Sequence, residues 1–191
     1  MKKFFVLSLF FAFSAVLFAQ VEVTQFLGIP VDGTAAEMIS KLKEKGFTSV
    51  SSTTDMLEGE FNGKNVYVTV QTNNRKVWRV GVIDTNGYDE TQVKIEFNNL
   101  CRQFKANSKY VGLDGQTIPE SEDVGYEVDV HNKRYEAVFF QKLQTGDLEI
   151  DDEMRNRMVW FLINKSPLGY GKYCIMIYYE NGYNKANGED L

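Results

Sequence analysis

Residues 57–71, LEGEFNGKNVYVTVQ, leave the chain little choice of local structure. Leu57, Gly59 and Phe61 alternate with Glu58 and Glu60. Val66, Val68 and Val70 then alternate with Tyr67, Thr69 and Gln71. A period of two places each apolar set on one side of a strand. Between the two runs stands Asn62-Gly63, and both residues tolerate the positive φ that a two-residue hairpin turn demands. A polar turn at Asn73-Asn74 leads into a third strand over 77–83. The segment therefore predicts a three-stranded meander with one face in a core.

Two helices frame this meander. Thr34 offers an N-cap, with Glu37 as its reciprocal partner three residues on. Ala35, Met38, Ile39 and Leu42 give an apolar stripe, and Gly46 a stop. Asp89 and Gln92 repeat the capping signal. Val93, Phe97, Leu100, Cys101 and Phe104 then sustain one apolar face, ended by Asn107-Ser108. Beyond it, strands are expected over 124–131, 135–141, 158–163 and 173–179, with a hairpin turn at Asn132-Lys133. Residues 142–156 read as an acidic loop. Residues 166–172, with Pro167, Gly169 and Gly171, read as a second loop. The run at 158–163 is apolar at every position, as in a strand buried on both faces.

The order is α-β-β-β followed by α-β-β-β-β. The pentapeptide NRKVW at 74–78 reappears as NRMVW at 156–160, and these hold both tryptophans. Its placement suggests two diverged halves, each with a tryptophan in its core. The expected fold is α+β: an antiparallel sheet with two helices packed on one face. The expected divisions are a leader at 1–19, a first repeat at 20–86, a second at 87–180 and a polar tail at 181–191.

Gly33, Thr34, Glu37 and Met38, within LGIPVDGTAAEMISKL, resemble the helix openings of the repeats in β-lactamase inhibitor protein and in the small lipoprotein of the outer-membrane assembly machine. The resemblance implies a sheet that presents a surface to a partner protein. The chain departs from that pattern in carrying one helix before each sheet instead of two, and in lacking Leu-Gly-x-Pro after the helix.

The first residues, MKKFFVLSLFFAFSAVLFAQ, join two lysines to an apolar run that ends in Leu17-Phe18-Ala19. This reads as a bacterial secretory leader cleaved after Ala19. At about 15 residues the run is shorter than the roughly 20 a membrane span needs. The expected location is the periplasm or the medium. The whole chain carries a net charge of −5, and the leader holds two lysines and no acid. An acidic protein of this kind is a poor ligand for nucleic acid or anionic membranes. No integral membrane segment is expected.

Few residues suggest chemistry. His131 is the only histidine, without the nucleophile turn that a catalytic triad needs. One histidine and two separated cysteines make a poor zinc set. Cys101 and Cys174 permit a disulfide in an exported protein, or serve as small core residues. The carboxylate pairs Glu58/Glu60, Glu127/Asp129 and Glu120/Glu122 could serve a hydrolase, but alternation places the first two on a solvent face. DLEIDDE at 147–153 lacks the turn glycine of a calcium loop. No catalytic residue, metal site or cofactor is expected. The leading feature is the tyrosine-rich end: Tyr170, Tyr173, Tyr178, Tyr179 and Tyr183 supply contact area with a polar tip. The expected function is non-catalytic binding of a protein or envelope component, with a glycan or small molecule at these tyrosines as the alternative.

Overall fold

The computed structural model describes residues 22–50, 56–142, 152–186 and 188. Among these residues ten strands and four α-helices follow one another. They are β1 (Gln25–Phe26), β2 (Ile29–Pro30), α1 (Ala35–Glu44), β3 (Thr48–Ser49), β4 (Met56–Phe61), β5 (Lys64–Asn73) and β6 (Lys76–Asp84). Then come α2 (Glu90–Ala106), β7 (Tyr110–Gly112), α3 (Val124–Val130), β8 (Glu136–Gln141), α4 (Asp152–Arg155), β9 (Arg157–Lys165) and β10 (Tyr173–Asn181). Strands β3 to β10 form one antiparallel sheet in the order β3-β4-β5-β6-β10-β9-β8-β7. The fold is mixed α+β, mostly sheet. Each half contributes a helix and then four strands. The second half is laid down in reverse order, so that β6 and β10 meet in the middle.

Both principal helices start as their caps dictate. Thr34 and Glu37 close one capping box, and Asp89 and Gln92 the other. Removing the Asp89 side chain leaves the Gln92 amide without its acceptor at 2.8 Å. Asp89→Ala should therefore cost about 1 kcal/mol in a urea titration. The Asn62-Gly63 turn has positive φ at both residues, as the hairpin requires.

α1 packs on β5 and β6, and α2 on β7, β9 and β10. The core lies between these helices and the sheet. Val66, Val68, Val80, Val82, Val159, Phe161, Ile175 and Ile177 form its sheet side, all buried. A short hairpin, β1-β2, closes the core from the N-terminal side through Phe26, which touches the rings of Phe47, Phe61 and Tyr179.

Several expectations require correction. Residues 124–130 form helix α3, not a strand, and Asn132-Lys133 is no hairpin turn. Val124, Tyr126, Val128 and Val130 alternate, but Val124 and Val128 also stand one helical turn apart. The Asp123 side chain accepts from the Tyr126 amide at 2.8 Å and caps the helix. Val124 and Val128 are buried, while Tyr126 and Val130 are exposed. The short edge strands β3 and β7 carry too few residues to show a period. The tail is docked at its start. Asn184 donates to Asp32 and to the Val77 carbonyl, both at 2.8 Å. The pentapeptides do not mark equivalent positions either: Trp78 lies in the fourth strand of its half, Trp160 in the third.

Candidate functional site

The two long helices, α1 and α2, cover one face of the sheet. On β10, Ile175, Ile177 and Tyr179 point into the core, so Met176, Tyr178 and Glu180 point away from it. On β9, Val159, Phe161 and Ile163 are buried, whereas Met158, Trp160 and Leu162 on the opposite face are half-exposed. The apolar run at 158–163 thus gives a strand with two apolar faces, only one of them in the core. At the β8–β9 corner Phe140, paired with Met158, and Met154 are buried where α4 packs. Across the middle of the sheet the second face stays uncovered among the described residues.

Trp78 reaches this face through an irregularity in β6. Gln71 pairs with Arg79 and Thr72 with Val77, which leaves Trp78 as an extra residue on its strand. A bulge of this kind breaks the alternation, and neighbouring side chains project to one side. Val77 and Val80 stay in the core while Trp78 and Arg79 both stand on the open face, half-exposed. The expectation of a tryptophan in the core of each half therefore fails for Trp78. Neither tryptophan is a fully buried core residue.

These side chains meet at the centre of the sheet. The Arg79 guanidinium lies 4.0 Å from the Trp78 ring centroid and 4.9 Å from that of Tyr178. The rings of Trp160 and Tyr178 are 4.7 Å apart. Glu180 holds the group together: its Oε1 accepts from Arg79 Nη2 at 2.5 Å and from Trp160 Nε1 at 2.8 Å. Opposite Tyr178 stands Gly81. A Cβ there would lie 2.7 Å from Thr69 Oγ1 and 3.3 Å from the Tyr178 ring, so the missing side chain lets the ring lie against the strand. Met158, Met176, Leu162, Ile83 and Tyr67 surround the cluster, all half-exposed. At the β4 edge Glu58 and Glu60 are exposed.

The five tyrosines do not form one surface. Tyr178 belongs to the open face. Tyr173 and Tyr179 face the opposite side, by alternation along β10, and are buried. Tyr173 donates to Asp129 Oδ2 at 3.0 Å, and burial together with this carboxylate pushes its hydroxyl up to about 12. Burial holds Tyr179 well above the ordinary tyrosine value. Tyr170 stands at a loop tip, 99% exposed, and Tyr183 sits exposed in the turn after β10.

The other candidates have structural partners. Cys101 and Cys174 are buried free thiols. Cys101 lies on α2, inside the core, whereas Cys174 alternates with Tyr173 and Ile175 and so points to the opposite side of the sheet. That separation precludes a bridge. Burial pushes the Cys101 thiol up to about 11, away from reactive thiolate character. His131 caps α3 and meets Glu127 Oε2 at 3.1 Å. Glu127 and Asp129 stand on a helix, not on hairpin strands. Asp129 pairs with Lys165 at 2.9 Å, and Glu122 with Lys133 and Tyr135. Those pairings hold both carboxyls below their ordinary range, the reverse of what a general acid needs. No group of three or more metal-ligating side chains occurs among the described residues. Most of the acidic loop, residues 143–151, lies outside them.

The fold is that of an α+β protein, and the middle of one sheet surface is uncovered among the described residues. Among the described residues no helix is long and apolar enough to cross a membrane. Comparison with protein-family models, curated proteins and solved structures finds no match.

Proposed function

We propose that this chain is a non-catalytic binding protein of the bacterial envelope and that the open sheet face takes a protein partner. The observation that carries the reading is the cluster of Trp78, Arg79, Trp160 and Tyr178 at the centre of an uncovered sheet. Tryptophan, tyrosine and arginine at the middle of a surface are the residues that dominate protein interfaces. The methionines around them add adaptable apolar contact. The exposed carboxylate of Glu58 supplies part of a polar rim. The leader-like N-terminus supports export.

The test is capture from an envelope extract with the protein as bait, in parallel with Trp78→Ala and Leu162→Glu. The expected result is a partner retained by the wild type and reduced at least tenfold by both variants, each of which remains folded. A partner retained equally by all three baits refutes the assignment to this face. No partner, together with a clear hit on a glycan array, transfers the function to sugars.

A further inference from the structure

On the opposite side of the sheet a cleft of about 1170 Å³ opens between the N-terminal hairpin, the β4–β5 turn and the C-terminal half of α2. Ligand pockets generally measure roughly 300–1,000 Å³, so this one is large enough for an extended molecule. Its floor is apolar and aromatic. Leu100 and Phe104 come from α2, Phe61 from β4 and Tyr110 from β7. Phe104 and Tyr110 meet edge to face at 4.8 Å.

One wall is cationic. Lys109 and Lys142 are brought side by side where the Lys142 amide donates to the Lys109 carbonyl at 2.9 Å. Arg157 lines the same wall, only 3% exposed, with Nε donating to the Gln141 carbonyl at 3.0 Å. Neither lysine has an ion pair among the described residues. Two acids also line the cleft. Glu60 belongs to β4, on the far side of the sheet order from β7 and β8, and Glu22 stands at the start of the described chain. Three cations thus converge at one end of an apolar trough, in a protein whose overall charge is negative.

We infer that this cleft is a second binding site, separate from the sheet face, for an amphipathic anion. The head is a carboxylate or phosphate held by Lys109, Lys142 and Arg157. The body is an extended apolar chain lying over Phe61, Leu100 and Phe104. A fixed cationic wall selects the head by charge, and the trough selects the body by buried apolar area. The long lysine stems add apolar cover while keeping their ammonium groups at the mouth.

Titration calorimetry with three twelve-carbon probes below their micelle concentrations tests this: dodecanoate, dodecanol and dodecyltrimethylammonium. Dodecanoate should bind at least tenfold tighter than the cationic probe, with dodecanol between. Lys109→Glu with Lys142→Glu should weaken dodecanoate at least tenfold and leave dodecanol within a factor of two. Leu100→Trp, which fills the trough from a half-buried position, should abolish all three while the urea midpoint shows the variant folded. Trp78→Ala, on the other side of the sheet, should change none of them. Equal affinities for the three probes, indifference to Leu100→Trp, or no binding of any probe each overturn the site. None of these outcomes bears on the sheet face.

Discussion

Phe26→Ala should lower the stability of the protein by about 3–5 kcal/mol, the range for truncating a fully buried phenylalanine. Phe26 has no exposed surface. Its ring lies 5.3 Å from Phe61, 6.4 Å from Phe47 and 4.9 Å from Tyr179. Phe47, just before β3, and Phe61, in β4, belong to the first half of the chain and Tyr179 to the second, so one side chain spans the junction. The hairpin that carries it is also tied from both ends. Thr24 donates to the Glu180 carbonyl. Asn181 donates to the Val31 carbonyl at 2.8 Å, and Gln25 and Gln141 exchange two hydrogen bonds of 2.7 Å. These fixtures stop the hairpin from collapsing into the space an alanine would leave, which places the cost toward the top of the range. Leu27→Ala, one residue on and exposed, should change stability by less than about 0.5 kcal/mol. Urea unfolding of the two variants beside the wild type measures the contrast. Equal midpoints for Phe26→Ala and Leu27→Ala would falsify the assignment of the hairpin to the core. Because a whole domain is stable by only about 5–15 kcal/mol, this single ring decides a large part of folding.

What was legible in the sequence was whatever local chemistry determines. Asp89 with Gln92, Thr34 with Glu37, and Asn62-Gly63 each encode their geometry within four residues, and each took the expected form. The opposite holds where tertiary contact chooses. Residues 124–130 carry both a strand period and a helical one, and burial of Val124 and Val128 selected the helix. The N-terminal hairpin turns on Leu27-Gly28, and Leu27 takes φ 52°. Leucine is absent from the usual turn vocabulary, so no local signal announced it. Gln116 gives nothing away either. Its side chain accepts from the Val138 amide and donates to the Val138 carbonyl, extending the edge of β8 as a strand would.

The open face was hidden for a related reason. Apolar residues on both sides of β9 imply burial on both sides only if something covers each side. The sequence states the pattern, but it does not state that among the described residues no element crosses the middle of the second face. Trp78 stands on the open face because a bulge interrupts the alternation of β6, and no residue type near 77–79 demands one.

Glu180→Ala should cost about 3 kcal/mol, from a carboxylate whose side chain is only 3% exposed. Its loss strands two donors. Trp160 Nε1 loses its acceptor, and Arg79 loses its counter-charge while remaining packed against Trp78 and Tyr178. Arg79 is ill placed to recover through water. Its side chain is 21% exposed, and its Nε is buried with no acceptor even in the intact protein. Stacking on the rings offsets part of that cost, and Glu180 supplies the rest. Glu180→Gln should be milder, about 1–2 kcal/mol, because an amide oxygen still accepts from Trp160 and Arg79 while the charge attraction is gone. Arg79→Met combined with Glu180→Leu should recover part of that loss, to within about 1–2 kcal/mol of the wild type, since removing both charges leaves only the Trp160 Nε1 donor without its acceptor. The ordering among the three variants is the informative result. If the double variant is no more stable than Glu180→Ala, the carboxylate acts by packing and not by neutralising the guanidinium. If the order holds, the double variant keeps the fold while deleting the only arginine at the centre of the face. Its capture of a partner then shows whether the pair serves recognition as well as stability.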